Sequence, residues 1–244
     1  WWESTVPHLF VIGETCGCHG VRPGGSALNS GQVGGIRAAQ RIANCYNTAP
    51  QAVAAFARMA GGQIREALEN FEGQLAAGQS APTMAETRRE LQARMSRAAA
   101  FIRDPKLVDE ALAEAKAQWD LIRRKGQRLG HRAEMPRAIE NQHLCLTQIA
   151  FLESIAALIK RGGGSRGSYM VLDGKGGRWV ETRKGRALRH RPENAKLRGE
   201  VLTVRYNAKK DAFSVKALPT RPLPACDAWY ETTWAAYKSG EVFK

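Results

Sequence analysis

Apolar and polar positions alternate along this chain with periods that separate it into three stretches. Leu9, Phe10, Val11 and Ile12 form a short continuous apolar run, the length and composition of a buried parallel strand. Gly13 to Gly25 is a small-residue turn, and Ser26 opens a helical stretch ending near Asn44, with Ala, Gly and Ile along one face. Helical periodicity then predominates. Val53, Phe56, Ile64, Leu68, Phe71 and Leu75 set a helix over about Ala52–Gln74, with a kink or split expected at Gly61-Gly62. Thr83-Met84-Ala85-Glu86 is a capping box, followed by the face Leu91, Met95, Ala98 and Ile102. Asp104-Pro105 stops that helix and starts the next, with Asp as N-cap and Pro at the first helical position. Its face is Leu107/Val108, Ala111/Leu112, Ala115, Trp119 and Ile122. Pro136 opens a long last helix through Ile139, Leu146, Ile149, Leu152, Ile155 and Ile159, stopped by Gly162-Gly163-Gly164.

Period-two patterning appears only near the end. Glu200–Tyr206 and Ala212–Leu218 read as strands joined by Asn207–Asp211 in a hairpin. Gly185–Pro192 reads as basic and irregular. Pro219, Pro222 and Pro224 end the hairpin. Trp229, Tyr230, Trp234 and Tyr237 suggest one short helix docked on another surface. The fold class that follows is mainly α with a small β part. Its expected pieces are a strand, turn and helix (1–48), a helical bundle (49–161), and a basic β-hairpin region with an aromatic tail (162–244).

Charge and cysteine content narrow the function classes. The 244 residues carry a net charge of +14. Between Lys160 and Arg221, 17 Lys and Arg face 5 Asp and Glu, so most of that charge lies in one quarter of the chain. Such a field attracts an acidic partner, an anionic substrate or nucleic acid. Nucleic acid is not favoured, because the aromatics of the tail lie outside the basic block. Five Cys, at 16, 18, 45, 145 and 226, form no CxxC pair and have no zinc spacing. No metal site is expected, and the scatter argues for a reducing compartment. His143, near the apolar face of the last helix, has no second ligand spaced with it. No uninterrupted apolar run approaches the ~20 residues of a membrane span. The expected location is cytoplasmic, with any membrane association made through a partner subunit.

A strand, glycine-rich turn and helix present bare backbone N–H groups and a positive helix terminus to an electron-rich ligand. The block Gly13-Glu14, His19-Gly20, Arg22 and Gly25-Ser26 resembles the carboxyl-terminal flavin-binding segment of the fumarate reductase / succinate dehydrogenase flavoprotein family. Gly164-Ser165-Arg166-Gly167-Ser168-Tyr169 resembles a second run of that family, placed after its helical domain, with Tyr169 where the family commonly has His. His19 and Arg22 are three residues apart, where the family spaces this pair by four.

The resemblance implies an FAD-dependent oxidoreductase that passes a hydride between flavin and a small anionic substrate, with residues 1–48 the truncated end of its FAD-binding α/β domain. It implies that Glu14 accepts hydrogen bonds from the ribityl chain. It places the backbone of Gly13, Gly25, Ser26, Ala27 and Leu28 at the flavin, and His19 and Arg22 at a dicarboxylate-type substrate. Arg166 is expected to be structural. The family's amino-terminal dinucleotide motif is absent, so the chain reads as the last portion of a longer flavoprotein, inactive alone and binding FAD weakly or not at all. The expected partners are the rest of that flavoprotein, an iron–sulfur or other electron-transfer subunit, and a second copy meeting through the apolar first ~40 residues. The competing reading is a non-catalytic helical assembly module whose basic surface takes an acidic partner or nucleic acid.

Overall fold

The computed structural model describes residues 1–16, 26–222 and 230–243. The chain is mainly α with a small β part and forms two compact units. The first comprises Trp1–Arg58 and Pro222–Lys244, the second Met59–Arg221.

In the first unit the apolar run ends in a 3-10 turn, Gly13–Cys16, and helix α1 spans Ser26–Cys45. The strand expected at Leu9–Ile12 does not form. Only an isolated antiparallel bridge joins Glu3 and Phe10, and Leu9 and Ile12 are exposed. A parallel strand needs neighbours, and among the described residues no strand lies beside this run. Its backbone pairs locally instead, Ser4 N with Leu9 O at 2.8 Å and Val11 N with Trp2 O at 3.0 Å. The aromatic tail docks as expected, on α1. It continues through a π-helical turn at Tyr230–Trp234 into a short helix at Ala235–Lys238. Gln40 donates to the Tyr237 hydroxyl at 2.8 Å, and the rings of Trp1 and Phe243 meet at 5.0 Å.

Helix α2, Val53–Leu75, is continuous through Gly61-Gly62. In the second unit α3 (Met84–Ala98), α4 (Pro105–Lys125) and α5 (Met135–Lys160) form the bundle. The local signals hold at each start. Thr83 and Glu86 make the reciprocal capping box, and Asp104 caps α4 with Pro105 following. Gly162, at φ 82°, follows the end of α5 in the left-handed region that glycine adopts without strain. The core is Ala98, Val108, Ala111, Leu112, Ala115, Ile149, Leu152, Ile155 and Ala156. Taken with its 3-10 lead-in (Arg132–Lys160), α5 is long enough, and over an 18-residue window apolar enough, to match a membrane span by length and composition. Its position in this fold is between α3 and α4, where Ile149 and Leu152 are buried.

Three two-stranded ladders complete the second unit. β1 (Ile102–Arg103) pairs in parallel with β2 (Met170–Val171). β5 (Glu200–Asn207) and β6 (Ala212–Pro219) form the expected hairpin, in register from Glu200↔Pro219 to Asn207↔Ala212. Its inner residue Phe213 packs on the bundle core. The basic stretch expected to be irregular is instead a hairpin, β3 (Arg178–Thr182) with β4 (Gly185–His190). Its two-residue loop, Arg183-Lys184, and Gly185 at φ 102° supply the turn. It has few apolar positions to alternate, so only its backbone pairing reveals it.

Candidate functional site

Gly13 and the first half of α1 are brought together. Gly13 is buried at φ 69°, and a Cβ there would lie 3.2 Å from the Gly31 Cα. A Cβ on Gly34 would lie 3.1 Å from the Ile12 Cβ and 3.3 Å from the Gly13 N. The close approach needs glycine at 13 and 34, whereas a Cβ on Gly31 would meet nothing within 4 Å. Glu14, in that turn, is exposed. Ala27 is half-buried and Leu28 is 70 % exposed in the first turn of α1, which carries no acidic side chain. Ser26 is the first helical residue. His19, Arg22 and Gly25 lie outside the described residues.

What this arrangement can do follows from its charges. The first turn of an α-helix leaves backbone N–H groups without intrahelical acceptors and carries the positive end of the helix dipole. An electron-rich ring edge or carboxylate fits that environment. Close seating of the turn on glycines keeps Gly13 and Glu14 at a fixed height against α1.

The second motif builds a different place. Gly164 cannot be replaced without movement, since a Cβ would fall 1.9 Å from the Pro192 carbonyl oxygen. Ser165 N donates to Arg191 O at 2.9 Å, and the Ser165 hydroxyl accepts from Val171 N at 3.0 Å. Ser165 Oγ also lies 3.0 Å from His190 Nδ1. Arg166 forms an ion pair with Glu193 at 3.3 Å, and the Arg103 guanidinium stacks on Tyr169 at 3.9 Å. Burial lowers the pKa of Arg103, against the pull of Tyr169. The Arg198 hydrogen bond is the largest cause holding the Glu193 carboxyl below its usual range. Arg103, Gly164, Arg166, Tyr169 and Glu193 edge a cleft of about 370 Å³ whose apolar wall is Phe151, Ile155 and Leu158 of α5. Arg166 is therefore an ion-paired rim residue of a glycine-tight loop.

A polar seam inside the bundle went unread in the sequence. The Arg94 guanidinium, only 7 % exposed, donates to Gln118 Oε1 at 2.7 Å and Gln148 Oε1 at 2.8 Å, and pairs with Glu114 at 3.2 Å. Asn141 donates to Met84 O and to Gln127 Oε1 at 2.9 and 2.8 Å. A signal was present. Arg94 stands three residues after Leu91 and four before Ala98, Gln118 likewise between Ala115 and Ile122, and Gln148 between Cys145 and Leu152. Each is a polar residue in core register on a different helix. Cys145 lies beside this seam, its thiol pushed up to about 11, chiefly by burial. His143 is exposed, and among the described residues no group of His, Cys, Asp and Glu could hold a metal.

No family model matches this chain, and no curated protein matches it. Among solved structures it is similar to the FrdA chain of a mutant E. coli quinol fumarate reductase, with a TM-score of 0.57 and 17% identity. The likeness covers 84% of this chain and 32% of that one, so the chain spans about a third of that protein's length. At this identity the likeness is one of fold alone: the matched 84% of the chain resembles part of the FrdA chain.

Proposed function

We propose that this chain is the C-terminal portion of an FAD-dependent oxidoreductase that transfers hydride between flavin and a small anionic substrate in the intact protein. The observation carrying this reading is the fold likeness over 84% of the chain, joined to the order of two motifs along it. The Gly13–Cys16 turn, which approaches α1 closely at Gly31 and Gly34, and the first turn of the same helix are the elements this reading assigns to the flavin.

In the assembled site Glu14 accepts hydrogen bonds from the ribityl hydroxyls. The N–H groups of Ser26, Ala27 and Leu28 stabilise negative charge on the ring's pyrimidine edge. Flavin supplies the hydride chemistry. Arg22 and His19 would hold the carboxylates of the substrate, the guanidinium being suited to bidentate contact with a carboxylate. An electron-transfer subunit and a cytoplasmic location belong to the same reading.

The test uses the flavin-containing gene product. Glu14→Ala loses bound flavin. Arg22→Ala keeps flavin and loses turnover of small dicarboxylates, with the larger effect on KM. Full flavin content in the Glu14 variant would overturn the assignment.

One observation favours the competing binding-module reading. Trp179 lies inside the basic block, in the β3–β4 hairpin, with the Arg186 and Arg189 guanidinium groups 5.7 and 5.8 Å from its ring. Salt-sensitive binding of a single-stranded polyanion, lost in Trp179→Ala, would support that reading.

A further inference from the structure

Helix α2 carries an apolar stripe that nothing in the described structure covers. Ile64, Leu68, Phe71 and Leu75 recur at helical spacing, and their exposures run from 39 % to 53 %. The helix meets the bundle along a different line. Asn70 exchanges two hydrogen bonds with Gln142, at 3.0 and 3.1 Å, and the Gln74 side chain accepts from Gln127 N at 3.1 Å. At 3.6 residues per turn, Asn70 and Gln74 stand roughly a quarter turn to one side of the stripe. On the other flank stand Arg58, Arg65, Glu69 and Glu72. None of the four has an ion-pair partner among the described residues. The basic pair occupies the first half of the helix and the acidic pair the second.

That distribution selects an occupant. In an antiparallel helix pair, the same flank of each helix meets its counterpart running the other way. Reversing one α2 against another therefore lays Arg58 and Arg65 of one copy along Glu72 and Glu69 of the second, twice over by the two-fold axis. The stripes face each other, with Ala60 and Ala67 leaving room for Ile64, Leu68 and Phe71 to interdigitate. We infer that α2 is a self-complementary dimerisation helix, pairing antiparallel with α2 of a second copy of this chain. The apolar stripe supplies most of the affinity, since exposed ion pairs contribute little each. The charges set the direction. This surface is distinct from the Gly13–Cys16 turn and from the apolar residues of the first ~40, so the inference does not depend on flavin binding.

Sedimentation equilibrium of the 244-residue chain tests it. A monomer–dimer equilibrium is expected, and Leu68→Glu raises the dissociation constant at least tenfold without changing far-UV circular dichroism. The double variant E69K/E72K makes the flank wholly basic and R58E/R65E makes it wholly acidic. Each alone is expected to be monomeric, and an equimolar mixture to form a 1:1 dimer. Leu28→Ser in α1 leaves the equilibrium unchanged. A wild-type chain that stays monomeric at high micromolar concentration would overturn the inference and leave the stripe to another partner. Association indifferent to Leu68→Glu, or a mixture of charge variants that fails to pair, would overturn it equally.

Discussion

Arg94→Met removes the group on which three helices of the bundle converge. The Arg94 Nη1 donates to both Gln118 Oε1 and Gln148 Oε1, and both glutamines are almost fully buried. Their amide nitrogens are already committed, Gln118 to Thr87 O and Gln148 to Leu91 O. Rotating either amide to compensate would therefore break a second bond. Met fills most of the Arg stem's volume, so the loss is chiefly electrostatic. Two buried carbonyl oxygens without donors cost about 1–3 kcal/mol each, or about 2–6 kcal/mol together. For a unit of this size that corresponds to a fall in Tm of about 2–4 °C per kcal/mol.

The assay is thermal and urea unfolding followed by circular dichroism at a helical wavelength. The triple variant Arg94→Met, Gln118→Leu, Gln148→Leu leaves no orphaned group and is expected to recover most of the loss. Arg97→Ala is the control. Its ion pair with Glu114 is half-exposed and should cost under about 1 kcal/mol. A single variant within about 0.5 kcal/mol of wild type, or a triple variant no better than the single, would refute the claim that the seam is a satisfied network.

Three further outcomes are expected. Asp211, at the tip of the β5–β6 hairpin, accepts from the Tyr206 hydroxyl at 2.7 Å and Trp119 Nε1 at 3.1 Å and pairs with Arg123. The Tyr206 bond is the largest cause holding its carboxyl below the usual range. A depressed carboxyl pKa contributes stability that is present above its unfolded value, about 3.9, and is lost as pH falls through the folded one. Asp211→Asn should therefore lower stability at pH 7 and flatten the acid limb below about pH 4, read from urea midpoints across pH; an acid limb identical to wild type would contradict this. Cys145, with its thiol at about 11, is about a thousandth thiolate at pH 8. In a chain retaining only that cysteine, a thiol reagent should label it only when denaturant opens the bundle, and rapid native labelling would contradict its burial. Gly164→Ala drives a methyl into the Pro192 carbonyl and should cost more than about 2 kcal/mol, whereas Gly174→Ala, with nothing within 4 Å of its Cβ, should cost under about 1; equal melting points would contradict the close approach.

The bundle was legible because its signals are local. Thr83 with Glu86, and Asp104 with Pro105, state helix starts within four residues, and the apolar faces repeat without interruption from Leu91 to Ile122. The β5–β6 hairpin was legible for the same reason. The seam was harder to read, because a polar residue in core register on one helix finds its partners only when the three helices bring Arg94, Gln118 and Gln148 together. The β3–β4 hairpin was hidden by its charge: Arg178, Arg183, Lys184, Arg186 and Arg189 leave no apolar alternation to read. At Leu9–Ile12 composition pointed to a buried strand, but a strand is a property of its neighbours, and among the described residues none lies beside this run. In the candidate site, the Gly13 turn could be foreseen as a backbone-presenting element. Its seating on Gly31 and Gly34 could not, because that contact joins two segments whose periodicities are independent.

The intact mass of the natural gene product, taken with its visible absorbance spectrum, tests the central claim most directly. The account predicts a polypeptide longer than 244 residues that carries flavin absorbance. It also predicts that the 244-residue chain alone takes up FAD weakly or not at all. A natural product of this length without flavin bands, or a tight stoichiometric yellow complex formed by this chain alone, would contradict it.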